Sequence, residues 1–589
     1  MANKNTEIHF QNTPKINIRR SLQDLSNRHT TTFNTGEAIP IFWTHVLPGD
    51  TFKAIESKIT RTITPLFPVL DSAYQDTWYF FVPSRLLWNH YEEYRTRGGD
   101  KPNAWTNPTI YTKPVIRIPN EQVVPAQYWK NGSQKASYTQ KGVREGDLLD
   151  YLGIPTDTEL NSMDYKDVDA LPVRAYYKIY NDYLRDENVA EPMLENTGDS
   201  VTTYVPEEKY LSGSGEAKIT NGVTGSAVLR ISKFHDVFTS ALPAPEKGGS
   251  VLIPGLDGTS IGAIGIKEDL KDAITAYKTE LTDAIFYDNE LDDVAKVTTD
   301  HEAGTQLYEN GPSGSSDTGS LSAVQGYMLN PGATIYALRN AIAVQQFNEA
   351  LAQYGSRYTE FLHGIFNVES SDARLQRAEY LGGYRNVLNM TQVEQTSAST
   401  EDSPLGQTGA FSITNTRGKE IFTKSFSEDG IFMVITCVRT DHTYSQGIDK
   451  KWTHFSYLEE YNPLWANIGN QPIKSSEILV NSDVADSTIF GYQEAWYEYR
   501  FEQNKLSGQM RPYLDNSYGP WTYGDDFTAI LDDNGVVLND YFIKETRLNM
   551  DRTLAVESSN ADQIMCQFYL DLKAYRPMPT FSVPGITKI

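Results

Sequence analysis

Residues 564–575 read IMCQFYLDLKAY, and their alternation constrains the fold more than any other stretch of the chain. Ile564, Cys566, Phe568, Leu570, Leu572 and Ala574 take every second position, while Gln567, Asp571 and Lys573 lie on the other side. Successive side chains of a strand point to opposite faces, so this stretch has one apolar and one polar face. It predicts a half-buried antiparallel strand. Near the other end, IFWTHVL (41–47), FKAIESKITRTI (52–63) and YQDTWYFFV (74–82) are further strand candidates, and in the second Ile55, Ile59 and Ile63 share a face. IFMVITCV (431–438) is apolar on both faces and belongs deep in a core. QEAWYEYRF (493–501) alternates, with Ala495, Tyr497, Tyr499 and Phe501 opposed to Glu494, Glu498 and Arg500, and DDNG (532–535) marks a hairpin. The expected class is mainly β: an antiparallel sandwich with strands from both ends of the chain, a few short helices and very long loops.

Three helices are expected. PSRLLWNHYEEYRTRGG opens on Pro83 and stops at Gly98. VRAYYKIYNDYLRDE (173–187) repeats Val173, Tyr176, Tyr177, Tyr180 and Leu184 at helical spacing, and a third helix runs from about 334 to 354 and stops at Gly355. Residues 1–35 read as an irregular arm with five basic and two acidic residues, among them Lys15, Arg19, Arg20 and Arg28. Residues 191–226 read as an exposed loop. Residues 251–330 carry four basic and fourteen acidic residues, and Ile266, Leu270, Ile274, Tyr277, Leu281 and Ile285 recur at helical spacing, which predicts one amphipathic helix besides those three. The Gly/Ser-rich stretch 311–320 flanks them. That region reads as an inserted, solvent-facing module, and 36–250 with 331–589 as one discontinuous domain.

The residues exclude more chemistry than they offer. With 52 basic and 76 acidic residues the chain carries −24, which argues against a basic groove for duplex DNA. No GxxxxGK, HExxH, CxxC or GxSxG is present, so no phosphate loop, zinc site or serine elbow is expected. DDNGVVLND lacks the ligand spacing of a calcium loop. No cofactor, metal or catalytic residue is expected. His442 and His454, the closest histidine pair, read as solvated loop residues. Cys437 and Cys566 read as buried thiols in a protein made in a reducing cytosol. The N-terminus has no signal core, and no run of about eighteen apolar residues exists to span a membrane.

SSDARLQRAEYLGGY (370–384) crowds Asp372, Arg374, Arg377 and Glu379 ahead of Gly382-Gly383. Such a block suits an active-site loop, a salt-bridged surface helix, or a contact with another molecule. Together with YFFVPSRLLWNHYEEY (79–94), YNDYLRDEN (180–188), HDVFTSALPAPEKG (235–248), SRYTEFLHGIFNVESSDARLQRAEYLGG (356–383), GYQEAWYEYRFEQNKLSGQMRP (491–512) and RPMPTFSVPGI (576–586), it resembles, in that order, the major capsid proteins of Microviridae phages of the gokushovirus branch. Residues 191–226 and 251–330 match that family only in being variable.

The resemblance implies a β-jelly-roll that self-assembles into a small T=1 icosahedral shell around circular single-stranded DNA, in a virion built in the bacterial cytoplasm. It implies a surface insertion at the threefold axis, here 251–330, where Leu270, Ile274, Tyr277 and Leu281 would pack, with a host receptor as its partner. Other expected partners are further copies of the chain, a small basic DNA-binding protein inside the shell and a pilot protein. Asp372, Arg374, Arg377 and Glu379 are then expected at an intersubunit contact, and Lys15, Arg19, Arg20 and Arg28 near the genome. A receptor-binding or carbohydrate-binding β-protein is the alternative, with a glycan hydrolase behind it.

Overall fold

A computed structural model describes residues 19–97, 111–206, 228–248, 335–394, 408–530 and 535–581, apart from short stretches within these ranges, and three strands between 285 and 310. The chain divides into two compact units: Met1–Pro245 with Tyr354–Ile589, and Glu246–Gln353.

Eight strands organise the first unit: β1 (Asn27–Phe33), β2 (Ile39–Val46), β3 (Thr51–Thr62), β4 (Ala73–Pro83), β5 (Glu379–Val387), β6 (Thr414–Ser425), β7 (Gly430–Thr440) and β8 (Ile564–Arg576). They form two sheets, ordered β1-β8-β3-β6 and β5-β4-β7-β2, with every pairing antiparallel. A chain that passes between two four-stranded sheets in this order is a jelly roll. β8 therefore sits between strands from the N-terminal end, with Phe33 opposite Ile564 on one side and Thr62 opposite Ile564 on the other. A short strand, Ser21–Asp24, pairs with the far end of β8. The region expected to be an irregular arm thus joins the sheet from Ser21 onward, because β8 offers it an open edge.

The sandwich core follows from alternation. Phe33, Phe52, Phe568 and Leu570 of the first sheet meet Ile41, Tyr79, Phe432 and Val434 of the second. Burying each such side chain contributes about 1.5–3 kcal/mol. β8 buries the six residues that its pattern assigns inward. In β3 the isoleucines do share a face, but Ile55 and Ile59 point outward, and Phe52, Ala54, Glu56, Lys58, Thr60 and Thr62 point in. The buried charges answer each other. Lys58 Nζ lies 3.1 Å from Glu56 Oε1 and donates to Thr77 Oγ1 at 2.8 Å, while Tyr79 and Tyr384 donate to Glu56.

The two sheets differ in what covers their outer faces. β4 and β7 are buried on both sides, as the run IFMVITCV requires. Their outward side chains Phe80, Val82, Ile431, Met433 and Ile435 pack with Leu171, Tyr176 and Ile179 of α1 (Leu171–Ile179). Cys437 joins that core and Cys566 the sandwich core, and both thiols are free and buried. The first sheet leaves Ile59, Met565, Tyr569 and Tyr575 exposed on its outer face. A third core gathers Phe238, Tyr444, Phe490, Phe527 and Phe542.

Several local expectations are corrected. The helix expected from Pro83 to Gly98 is two short ones, Ser84–Leu87 and Tyr91–Thr96, broken around the buried Trp88 and closed by Arg97 in the left-handed conformation. The second expected helix is α1, followed by a single wide turn, Tyr180–Leu184. Residues 493–501 are not a strand. Pairing ends at Glu494, and Trp496 at φ 64° turns the chain into a short 3-10 turn, Tyr497–Tyr499. The first three residues of DDNG lie outside the described residues.

The second unit contains an antiparallel sheet of Ile285–Tyr287, Val294–Thr299 and Leu307–Asn310. It also holds nearly all of α2 (Ile335–Tyr354), which ends where Gly355 takes φ 92°. Leu270, Ile274, Tyr277 and Leu281 lie outside the described residues, and Ile285, expected on the same helix, begins a strand.

Candidate functional site

The charged block 372–379 is a turn leading into β5. Gln376 takes a left-handed φ of 57° and accepts a hydrogen bond from Arg85. Arg377 Nε donates to Asp372 Oδ1 at 2.7 Å, and its guanidinium lies 4.6 Å from the centre of the Tyr183 ring. Asp182 accepts from the Ala378 N–H at 2.9 Å, and Tyr183 Oη donates to the Ala378 carbonyl at 2.6 Å. Glu379 pairs with Lys424 on β6. Three of the four charged residues are therefore partnered inside the chain. Arg374 is exposed, and its guanidinium makes no ion pair among the described residues.

The glycine pair is not a hinge. It lies within β5, at a bulge between Tyr380 and Gly382, and pairs with β4. A side chain at Gly383 would begin 2.5 Å from the Thr77 carbonyl oxygen, so this position needs glycine for a close approach within one chain.

The basic residues of the N-terminal region divide. Lys15 lies outside the described residues, and Arg19 and Arg20 are exposed just before Ser21. Arg28 is exposed on β1, opposite Tyr569 of β8. Cross-strand partners project to the same side, so Arg28 and Tyr569 share the uncovered face of the first sheet. Arg61, opposite Met565, joins them. At one end of the face, Asp24 and Asp571 hold Lys573 at 2.6 and 3.3 Å. The result is a surface of exposed aromatic and apolar side chains interleaved with Arg28 and Arg61, which make no ion pair among the described residues, and exposed arginines beside aromatic rings are groups that stack bases and contact a phosphate backbone.

His442, expected to be solvated, is instead buried. Its Nδ1 lies 3.0 Å from Asp525 and its Nε2 3.0 Å from Glu545. Lys233 stands 4.0 Å from Asp525, Asn549 donates to Asp525 at 2.8 Å, and Thr440 donates to Glu545 at 3.1 Å. Burial opposes the imidazolium charge, but the two carboxylates outweigh it and push His442 up to about 10. The same neighbours hold Asp525 well below the usual carboxylate range, against its burial. The cluster fastens four distant segments together. A lone histidine gave no signal of it, because its partners lie 83 and 103 residues away.

The family model described as capsid protein (F protein) matches residues 11–586. The chain is 33% identical to capsid protein VP1 of Chlamydia phage 1, with 98% of each chain covered. It is 31% identical to capsid protein VP1 of Spiroplasma virus 4, over 100% of this chain and 99% of the relative. It is also 31% identical to capsid protein VP1 of Bdellovibrio phage phiMH2K, with 99% of each covered.

Proposed function

Because the chain belongs to the capsid protein (F protein) family, we propose that its copies close into a small T=1 icosahedral shell around a circular single-stranded DNA genome, with the uncovered sheet face turned inward. The chain is a structural capsid protein of the gokushovirus type, and its place is the virion. No catalytic role is assigned to it. The relatives do not favour the alternative of a receptor- or carbohydrate-binding β-protein.

One observation carries the inward orientation. The chain covers the outer face of the second sheet with α1 and its neighbours but leaves Arg28, Arg61, Tyr569 and Tyr575 open on the first. A net charge of −24 repels a polyanion overall, so a local face of cations and aromatics is where contact with DNA, or with a small basic internal protein beside it, costs least. Lys15, Arg19 and Arg20 belong to the same interior surface in this reading. A pilot protein completes the interior set.

The acidic insertion 251–330 then faces outward at the threefold axis, with Leu270, Ile274, Tyr277 and Leu281 packed among neighbouring copies, and contacts the host receptor. Its fourteen acidic residues support an exterior position away from the genome. Expression of the full chain, followed by sedimentation and negative-stain microscopy, tests the shell: uniform closed particles are expected, and discrete trimers with no particles contradict it. Replacing 256–328 by a Gly/Ser linker tests the insertion. Shells that assemble but adsorb poorly are expected, and normal infection by the deletion phage removes the attachment role.

A further inference from the structure

The segment 452–468 presents large apolar side chains to solvent in a density that nothing else among the described residues matches by sequence position. Phe455 is 87% exposed and Leu464 89%, and Trp452, Tyr457, Leu458 and Ile468 are each more than half exposed. Single exposed apolar residues are ordinary, but a run of them along one segment points to a contact surface.

The segment is also braced by hydrogen bonds. Glu459 Oε2 accepts from the backbone N–H groups of both Phe455 and Ser456 at 2.8 Å. Asn462 accepts from the Leu464 N–H at 3.0 Å and caps the short turn Pro463–Trp465. Trp465 Nε1 donates to the Glu460 carbonyl at 3.1 Å, and Trp496 Nε1 donates to the Trp465 carbonyl at 3.3 Å. Below, the buried Glu498 carboxylate faces Lys450 at 3.5 Å and His454 at 3.4 Å. Backbone and polar groups thus fix the segment while Phe455 and Leu464 remain outside. A flexible apolar loop would fold its side chains onto its own surface. A braced one has already given up the entropy that binding would otherwise cost.

We infer that 452–468 is a preformed knob that inserts against a second copy of this chain, an intersubunit contact of the shell. The inference rests on the capsid reading above. That reading supplies the occupant, since a shell of identical chains places a copy against each subunit edge. Large aromatic and aliphatic side chains are the residues that dominate such contacts, and with Asp372, Arg377 and Glu379 internally paired the knob is the stronger candidate for holding subunits together.

Phe455→Asp and Leu464→Asp in the full chain test it. Both side chains are almost fully exposed, so the subunit should stay folded with unchanged circular dichroism while shell yield falls at least tenfold. Shells at normal yield from both variants would overturn the inference and leave the capsid reading standing. A second arm identifies the occupant. Both native thiols are buried, so Phe455→Cys offers one accessible thiol for a benzophenone maleimide. Irradiated particles should give chain-to-chain dimers. Crosslinks only to another phage protein, or only within one chain, would overturn the assignment. If the unaltered chain forms no particles in infected cells, the shell reading fails and the inference with it.

Discussion

Replacing His442 by Gln removes the one positive charge that lies between Asp525 and Glu545 at 3.0 Å from each. Stripping one partner from a buried ionic cluster costs about 3–5 kcal/mol. The shift of His442 from 6.5 to about 10 gives a similar figure, about 5 kcal/mol. The sign follows from the raised folded-state value. The stabilisation is complete below about pH 6.5, where the unfolded histidine is also charged, and is lost progressively as pH rises toward 10. Urea unfolding of the unassembled subunit, followed by tryptophan fluorescence, should therefore show wild type ahead of His442→Gln by about 3–5 kcal/mol at pH 6. Above about pH 6.5 the gap should narrow by about 1.4 kcal/mol per pH unit, to about 0–2 kcal/mol near pH 9. A gap that stays constant from pH 6 to 9 would mean that His442 acts by filling space, and the charge argument would be wrong.

Gly383→Ala should cost about 1–3 kcal/mol, because the new carbon meets the Thr77 carbonyl at 2.5 Å; an unchanged urea midpoint would contradict the close approach. Arg377→Glu sets an acid against Asp372 and should weaken the subunit itself by about 1–3 kcal/mol, whereas Arg374→Glu should leave subunit stability within about 0.5 kcal/mol and lower shell yield. Normal yield from Arg374→Glu would remove the charged block from the interface. Changing Lys15, Arg19, Arg20 and Arg28 together to Ala should release the genome at lower salt, with the salt slope reduced by about 0.7 for each phosphate that is no longer neutralised. An identical salt profile would place these residues away from DNA.

Strand 564–575 could be read directly because its apolar residues and its burial have the same period, and strand 431–438 because burial on both faces leaves no polar position. Strand 52–63 shows where that logic stops. Glu56 and Lys58 are inside only because each other's charge, Thr77, Tyr79 and Tyr384 satisfy them, and Thr77, Tyr79 and Tyr384 come from other strands. Residues 493–501 alternate as a strand would, but Trp496 adopts a left-handed backbone that alternation does not encode. The block 372–379 was legible as charge and not as geometry: Arg377 and Glu379 found Asp372 and Lys424 within the chain. In the knob at 452–468, Trp452, Phe455, Leu458, Tyr461, Trp465 and Ile468 recur every three or four residues as on a helix, but Pro463 interrupts the run and the chain forms only short turns there.

The orientation of the sandwich in the particle tests the central claim most directly. A density map of filled virions should place the β1-β8-β3-β6 face, with Arg28, Arg61, Tyr569 and Tyr575, at the innermost protein radius and against nucleic-acid density. Finding that face on the exterior, with the α1-covered sheet turned toward the genome, would contradict the account.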